Sequence, residues 1–235
     1  MYRAIDIETE NTGTDIMEDN KRIISVQIGD DTKQNLYWAD SKDPQWNLES
    51  AKKEIESLLS QGVIFTGYNI KGFDVRFLKQ FLGVEIPESN ILDLCQCQSQ
   101  KLTQLTGKNK PRLEEACAAC GVKVTHKQRM NEKAKKYKSI EAHKNQALAK
   151  ANELVENKGW SFDFSYNYAL DKVAGGNAIY DAYLEFITSD EREKTLFYEY
   201  AIGDVISEYQ LLKAFGYWIS QNFALSFRSH WILKS

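Results

Sequence analysis

The start of the chain does most to limit its fold. Residues 2–7 (YRAIDI), 22–29 (RIISVQIG) and 35–39 (NLYWA) are dense in Ile, Val, Tyr and Trp and are separated by polar turns, so they predict three strands joined in succession. Residues 47–61 (NLESAKKEIESLLSQ) then bring Leu48, Ala51, Ile55, Leu58 and Leu59 round near a helical period, which predicts an amphipathic helix. VIFTGYN at 63–69 reads as a buried strand, followed by a helix from about Asp74, a short strand at 90–94 (NILDL), and mainly helical sequence to Gln221. Hairpin-joined strands followed by strand and helix in alternation predict an α/β fold with a mixed central sheet flanked by helices. At 235 residues and 43% hydrophobic, with three prolines and no Pro-rich linker, the chain is expected to form a single domain over 1–235 with a full core.

Charge excludes a simple reading as a basic nucleic-acid-binding fold. Thirty Lys and Arg stand against 33 Asp and Glu, a net charge of -3, so any surface for nucleic acid must come from local placement. The N-terminal MYRAIDIETEN has a strand pattern rather than a basic region leading into an apolar run, and no apolar stretch approaches the roughly 20 residues that span a bilayer. A soluble, cytoplasmic protein without a membrane partner is expected. Of the four cysteines, Cys117 and Cys120 lie in RLEEACAACGV, where helical spacing sets Leu113, Ala116, Cys117 and Cys120 on one face; they read as core filling ahead of a zinc site.

One segment departs from this balance. Residues 123–150 hold nine cations (Lys123, Lys127, Arg129, Lys133, Lys135, Lys136, Lys138, Lys144 and Lys150) against Glu132 and Glu141. A solvated helical insertion and a phosphate-contacting arm both account for such a run.

Candidate chemistry rests on carboxylates. In AIDIETE, residues i and i+2 of a strand share a face, so Asp6 and Glu8 project together while Ile5 and Ile7 point to the other side. Two like charges so placed call for a hard divalent cation between them, although acid pairs at strand ends also face solvent. Asp74, in YNIKGFDVRFL, sits where a loop through Gly67 and Asn69 enters a helix, at the edge of the sheet; the alternative is an ordinary helix N-cap or first-turn acid, against which its distance from solvent-facing helices argues. In LFYEYAIGDVISEYQLLKAF, Tyr200 and Asp204 are i and i+4 on one helical face, which also fits a half-buried tyrosine of an amphipathic helix.

Taken in order, D-x-E, N-x-x-x-F-D and Y-x-x-x-D resemble the three exonuclease motifs of the DnaQ-like DEDD superfamily. YNIKGFDVRFL looks most like the second motif of family-B DNA polymerase proofreading domains, and YAIGDV like the third motif of the tyrosine-bearing subclass. The histidine subclass carries His five residues before the last Asp; here that position is Glu199, and His126, His143 and His230 are not at motif spacing. Asp181 has neither Tyr nor His at the required spacing, so Asp204 is taken as the fourth carboxylate.

The resemblance covers about residues 1–215 and implies a ribonuclease-H-like fold; the basic helical insertion expected at about 123–160 is not part of what it explains. The resemblance also implies hydrolysis of phosphodiester bonds from a 3′ end by two Mg²⁺ or Mn²⁺ ions about 4 Å apart, releasing nucleoside monophosphates. By the same resemblance Asp6 bridges both ions, Glu8 and Asp204 hold the water-side ion, Asp74 acts on the other through water, and Tyr200 orients the attacking water. Thr9, Asn69 and Phe73 would line the terminal-nucleotide pocket. Four carboxylates without thiol or imidazole suit Mg²⁺ or Mn²⁺ rather than zinc.

The resemblance favours single-stranded DNA over RNA as substrate. The short stretch after Asp204 leaves no room for a polymerase palm, so the expectation is a free-standing nuclease, or a subunit acting in trans with a DNA polymerase or repair complex. The insertion is expected to cover the cleft and hold the strand through Lys133, Lys135 and Lys136. The alternatives are an RNA-trimming exoribonuclease of the ribonuclease D type, which also carries Y-x-x-x-D, and a non-catalytic nucleic-acid-binding module, which would be expected to have lost its ligands.

Overall fold

The computed structural model describes the backbone of residues 1–10 and 21–232 and the side chains through residue 216. Five strands, β1 (Tyr2–Thr9), β2 (Ile23–Gly29), β3 (Gln34–Trp38), β4 (Ile64–Gly67) and β5 (Ile91–Asp93), form one sheet in the order β3-β2-β1-β4-β5. β2 runs antiparallel to β1 and β3, whereas β4 is parallel to β1 and β5 parallel to β4. The chain is therefore α/β with a mixed sheet, and β1 is its middle strand.

Between β3 and β4 comes α1 (Leu48–Ser60), started by Asn47, whose Oδ1 accepts the Ser50 N–H at 2.9 Å. α2 (Asp74–Leu82) follows β4 and ends at Gly83 in the left-handed conformation that a side chain would strain. Both helices cover one face of the sheet. Ile5, Ile7, Val26, Ile28 and Phe65 of the strands pack there with Ile55 of α1 and Phe77 and Leu78 of α2, all essentially withdrawn from water.

After β5 the chain is helical among the described residues, as its sequence predicts: α3 (Leu94–Cys97), α4 (Ser99–Thr106), α5 (Leu113–Ala119), α6 (Lys127–Tyr137), α7 (Glu141–Lys158), α8 (Phe162–Thr188) and α9 (Leu196–Ile232). α9 crosses the second face of the sheet, and its Phe197, Ala201 and Ile202 share a core with Ala178, Ala182, Tyr183 and Phe186 of α8 and with Leu36 of β3. Leu113, Ala116 and Cys117 of α5 pack with Leu211 and Phe215 of α9, so the helical spacing of that segment serves a core. The basic segment forms α6 and α7, which pack mainly on α8. Among the described residues, six of its nine cations meet an acid: Lys127, Arg129, Lys133, Lys138, Lys144 and Lys150 pair with Asp204, Glu199, Glu185, Asp171, Glu141 and Glu153. Among the described residues no helix is long and apolar enough to cross a membrane.

The register between β1 and β2 steps from Glu8 opposite Ser25 to Thr9 opposite Ile23. Ile24 is thus an extra residue on β2, and it turns into the α8–α9 core while Ile23 stays on the α1–α2 side. Such a bulge raises the local twist and re-aims the side chains beside it, here at the end of the strand that carries Asp6 and Glu8.

Candidate metal centre

Because β1 alternates, Asp6 and Glu8 both point to the face crossed by α9. Opposite them on β2, Gln27 pairs with Asp6 and Ser25 with Glu8, and Gln27 Nε2 donates to Ser25 Oγ at 2.6 Å. A polar row therefore lies on an otherwise apolar sheet. Asp204 of α9 completes the group: one oxygen from each of Asp6, Glu8 and Asp204 lies within 4.8 Å of the other two, close enough for a single cation to touch all three. Among the described residues no other three His, Cys, Asp or Glu side chains converge in this way.

Asp74 stands beside this trio rather than in it. It is the first residue of α2, 5% exposed, and its Oδ1 accepts the Ile7 N–H at 3.1 Å, tying the helix start to the strand between Asp6 and Glu8. Tyr200 lies one turn before Asp204 on α9, its ring 5.5 Å from Lys127 Nζ and 6.3 Å from the His126 ring. Burial, then Glu8, Asp204 and Asp6, push its phenol well above the ordinary tyrosine value, so it is a proton donor at neutral pH.

The residues expected at a nucleotide pocket sit around the edge. Thr9 follows the bulge at the end of β1. Asn69 is exposed, with a left-handed backbone (φ 66°) that begins the turn to Gly72. Phe73 precedes α2 half-buried, its ring 4.6 Å from that of Phe77 on the α1–α2 core. Asp181, on α8, accepts from the Tyr137 hydroxyl and has no place in the centre.

Four further side chains shape the site, and local spacing announces one of them, Glu208. Asp93, 2% exposed, accepts the N–H groups of Cys95 and Gln96 at the start of α3 and those of Asn69 and Lys71, fastening the loop before Asp74 to the end of β5. Glu208, one turn after Asp204 and 3% exposed, accepts the Tyr68 N–H at 2.7 Å through Oε1 while its Oε2 has no partner. Its signal in the sequence is a second i+4 step, Tyr200, Asp204, Glu208, along one helical face. His126 and Lys127, at the start of α6, both reach the fourth carboxylate: His126 Nε2–H donates to Asp204 Oδ1 at 2.8 Å, and Lys127 Nζ lies 2.9 Å from the same atom. The basic segment thus meets the centre at its first turn, while Lys133 is held by Glu185.

Gly203 makes the His126 contact possible. A Cβ there would come within 2.2 Å of His126 Cγ, and no L side chain fits. Gly203→Ala is expected to force the ring off Asp204 and to destabilise the protein by about 1–3 kcal/mol, the overpacking cost outweighing the gain in helix propensity. A chemical denaturation midpoint at or above the parent value would show that the ring has room to retreat.

The electrostatics are those of a site short of positive charge. Burial and then Glu208, Asp74, Glu8 and Asp204 raise the Asp6 carboxyl well above the ordinary range, and its Oδ2 is buried without a partner. Burial and then Asp204 push Glu8 up to about 8, and burial pushes Asp74 up to about 7 against the backbone N–H groups that hold it down. Asp204 goes the other way: burial would raise it, but Lys127 and His126 hold it below the usual value. Reciprocally, burial disfavours the Lys127 ammonium and Asp204 more than offsets it.

The raised pair has a consequence for stability. A carboxyl raised in the fold binds its proton more tightly there than in the unfolded chain, so stability is fully present below the unfolded value and is lost as pH climbs through the folded one. In EDTA, stability is therefore expected to fall between about pH 4 and the folded values of about 7 for Asp74 and about 8 for Glu8, by about 1.4 kcal/mol per pH unit for each group inside its window. Urea midpoints measured across that window check it; a rising midpoint would contradict it.

The residues present suit a hard divalent cation: three convergent carboxylates, an unpartnered buried oxygen on Asp6, and only oxygen donors in the trio. No protein-family model and no curated protein matches the chain.

Proposed function

We propose that the chain is a metal-dependent 3′-to-5′ exonuclease of the DnaQ-like, tyrosine-bearing kind, with a ribonuclease-H-like fold, acting on single-stranded DNA. The observation that carries this reading is the meeting of Asp6, Glu8 and Asp204 within 4.8 Å, brought from the middle strand and a helix some 200 residues later, with Asp74 and Tyr200 beside them. The mixed five-stranded sheet, with β1 at its centre and β2 alone reversed, supports the fold assignment.

Asp6, Glu8 and Asp204 would hold Mg²⁺ or Mn²⁺, with Asp74 and Glu208 behind them. A divalent ion bound there supplies a Lewis acid that lowers the pKa of coordinated water and takes up charge on a phosphodiester oxygen. The protein's own groups do the rest. The Tyr200 phenol, one turn before Asp204 and protonated at neutral pH, would donate its O–H to the attacking water and orient it. Lys127 keeps a positive charge at the carboxylates, where an incoming phosphate needs one. The bulge after Glu8 and the Asp93-fastened loop set the two sides of the site at fixed positions.

The test is incubation of 5′-labelled single-stranded DNA and matching RNA with Mg²⁺ or Mn²⁺, beside EDTA. A ladder shortening from the 3′ end, absent in EDTA, is the expected result, faster on DNA. Faster loss of RNA would move the assignment to the ribonuclease D type, and intact strands of both kinds would defeat the nuclease reading.

A further inference from the structure

Ring after ring follows the end of α7: Trp160, Phe162, Phe164, Tyr166 and Tyr168 alternate over nine residues of sequence. The first turns of α8 sort them into two i,i+4 stacks. Phe162 lies over Tyr166, with centroids 6.1 Å apart and planes 13° from parallel, and Phe164 lies over Tyr168 at 6.4 Å and 22°. Trp160 sets its edge against both Phe164 and Tyr168, at 5.0 and 5.5 Å. The inner rings, Trp160, Tyr166 and Tyr168, lean on the α7–α8 core of Ala147, Leu154, Ala169 and Val173. The outer pair does not: Phe162 is 45% and Phe164 57% exposed, among the most open large apolar side chains described.

Two exposed phenylalanines at a helix start would be a liability on an ordinary surface, and here their surroundings are cationic. Lys158 Nζ lies 5.5 Å from the Trp160 ring and Lys172 Nζ 5.7 Å from the Tyr168 ring. Desolvation, and then the field of the Arg112 guanidinium, hold the Lys172 ammonium below the usual lysine value. Lys110 and Arg112 are exposed beside Pro111, and the acids nearby include Asp163 in the first turn of α8, Asp171, which is paired with Lys138, and Glu115, which accepts the Arg112 N–H at 2.9 Å and is paired with Lys108. Pro111 O accepts from the Tyr68 hydroxyl at 2.8 Å, and the Tyr68 N–H donates to Glu208 behind the carboxylates. Arg112 thus follows a residue that is tied through Tyr68 to Glu208 behind the carboxylates, while Lys172 stands at the rings. Along α8, Tyr168 stands about 15 Å, ten residues of helical rise, before Ala178, which packs in the same core as Ala201 and Tyr200.

Flat rings flanked by cations suit bases joined by phosphates, and suit them without regard to sequence. We infer that the aromatic corner at the start of α8, with Lys158, Lys172 and Arg112, is a stacking platform that holds single-stranded nucleic acid a few nucleotides upstream of the end lying at the carboxylates. The inference rests on the nuclease reading for the position of that end, and on the rings and cations for binding itself. It also moves the strand away from the face of Lys133, Lys135 and Lys136.

The test is equilibrium binding in EDTA, where no cleavage occurs, of labelled oligothymidylate and oligouridylate to the full chain and to Phe162→Ala/Phe164→Ala. Both side chains are exposed, so the fold should tolerate their loss, and a thermal melt checks that it does. The double variant is expected to bind a long oligomer on the order of 10- to 100-fold more weakly, as the loss of one or two base stacks predicts. Cleavage of a dinucleotide, too short to reach the rings, is expected to be unchanged.

Equal loss for the two oligomers would show that the platform reads bases and phosphates, and loss for one alone would show which of the two strands it holds; both support it. Parent-like affinity of the double variant for both overturns the platform. So does an altered monomer–dimer equilibrium with unaltered binding, which would make the rings a contact between copies. Ring-dependent binding by a parent that cleaves neither the long oligomer nor the dinucleotide would leave the platform standing and remove the nuclease reading. Cleavage with ring-independent binding would do the reverse.

Discussion

Replacing Asp6 by asparagine is expected to abolish metal-dependent cleavage, a loss on the order of 1,000-fold or more, while making the metal-free protein more stable. The first half follows from position. Asp6 is in the trio that a cation would touch, and an amide in its place removes the charge while keeping the shape; several kcal/mol of transition-state stabilisation depend on such an ion. The second half follows from the same geometry without the ion. The Asp6 carboxyl is surrounded by Glu208, Asp74, Glu8 and Asp204, each of which raises its pKa on top of burial, and its Oδ2 has no donor. An amide N–H₂ at that atom removes the repulsion and can donate to a neighbouring carboxylate. Each pKa unit relieved is worth about 1.4 kcal/mol, and each kcal/mol moves the melting temperature of a chain this size by about 2–4 °C. Thermal melts in EDTA together with cleavage assays read both halves. Retained activity would remove Asp6 from the metal ligands. Lost activity with a lower melting temperature would make it a structural carboxylate.

The opposite balance is expected at Lys127. Its ammonium lies 2.9 Å from Asp204 Oδ1, with the two side chains 18% and 7% exposed, and it is the main reason that Asp204 stays charged despite burial. Lys127→Met keeps the length of the side chain and removes the charge. Without metal, Asp204 is then left with His126 alone in a cluster of acids, and breaking a buried pair from one side costs about 3–5 kcal/mol. Added Mn²⁺ is expected to restore much of this, so the metal-induced rise in melting temperature should be larger in the variant than in the parent. A variant as stable as the parent in EDTA would show that the pair contributes nothing net. A variant destabilised equally with and without Mn²⁺ would show that the ion and the ammonium answer different charges.

The legible parts of the site are those set by local geometry. A strand places Asp6 and Glu8 on one face wherever it lies, and a helix places Tyr200 and Asp204 one turn apart, so these pairings were readable before any packing was known. The strands and the first two helices were readable for the same reason, with ends that moved by one or two residues: β1 runs on to Thr9, where pairing with β2 continues past the apolar run, and β4 stops at Gly67, where pairing with β5 ends before Tyr68 and Asn69. The polar Ser25 and Gln27 inside an apolar strand were a signal too, explained only when the register put them opposite Glu8 and Asp6.

The sequence by itself determined which faces carry carboxylates, because period 2 and period 3.6 are properties of the backbone. Tertiary structure alone decided which of those faces meet. The crossing of α9 over β1 brings Asp204 to Asp6 and Glu8 and carries Glu208 in behind them. The packing of α6 against α8 and α9, with Gly203 leaving room for an imidazole, puts His126 and Lys127 on Asp204 from a segment whose charge alone pointed only to solvent or phosphate. Spacing along a chain says nothing of contacts between residues 78 apart. Those depend on how apolar surfaces are buried against one another, and the buried charges take whatever partners that burial provides.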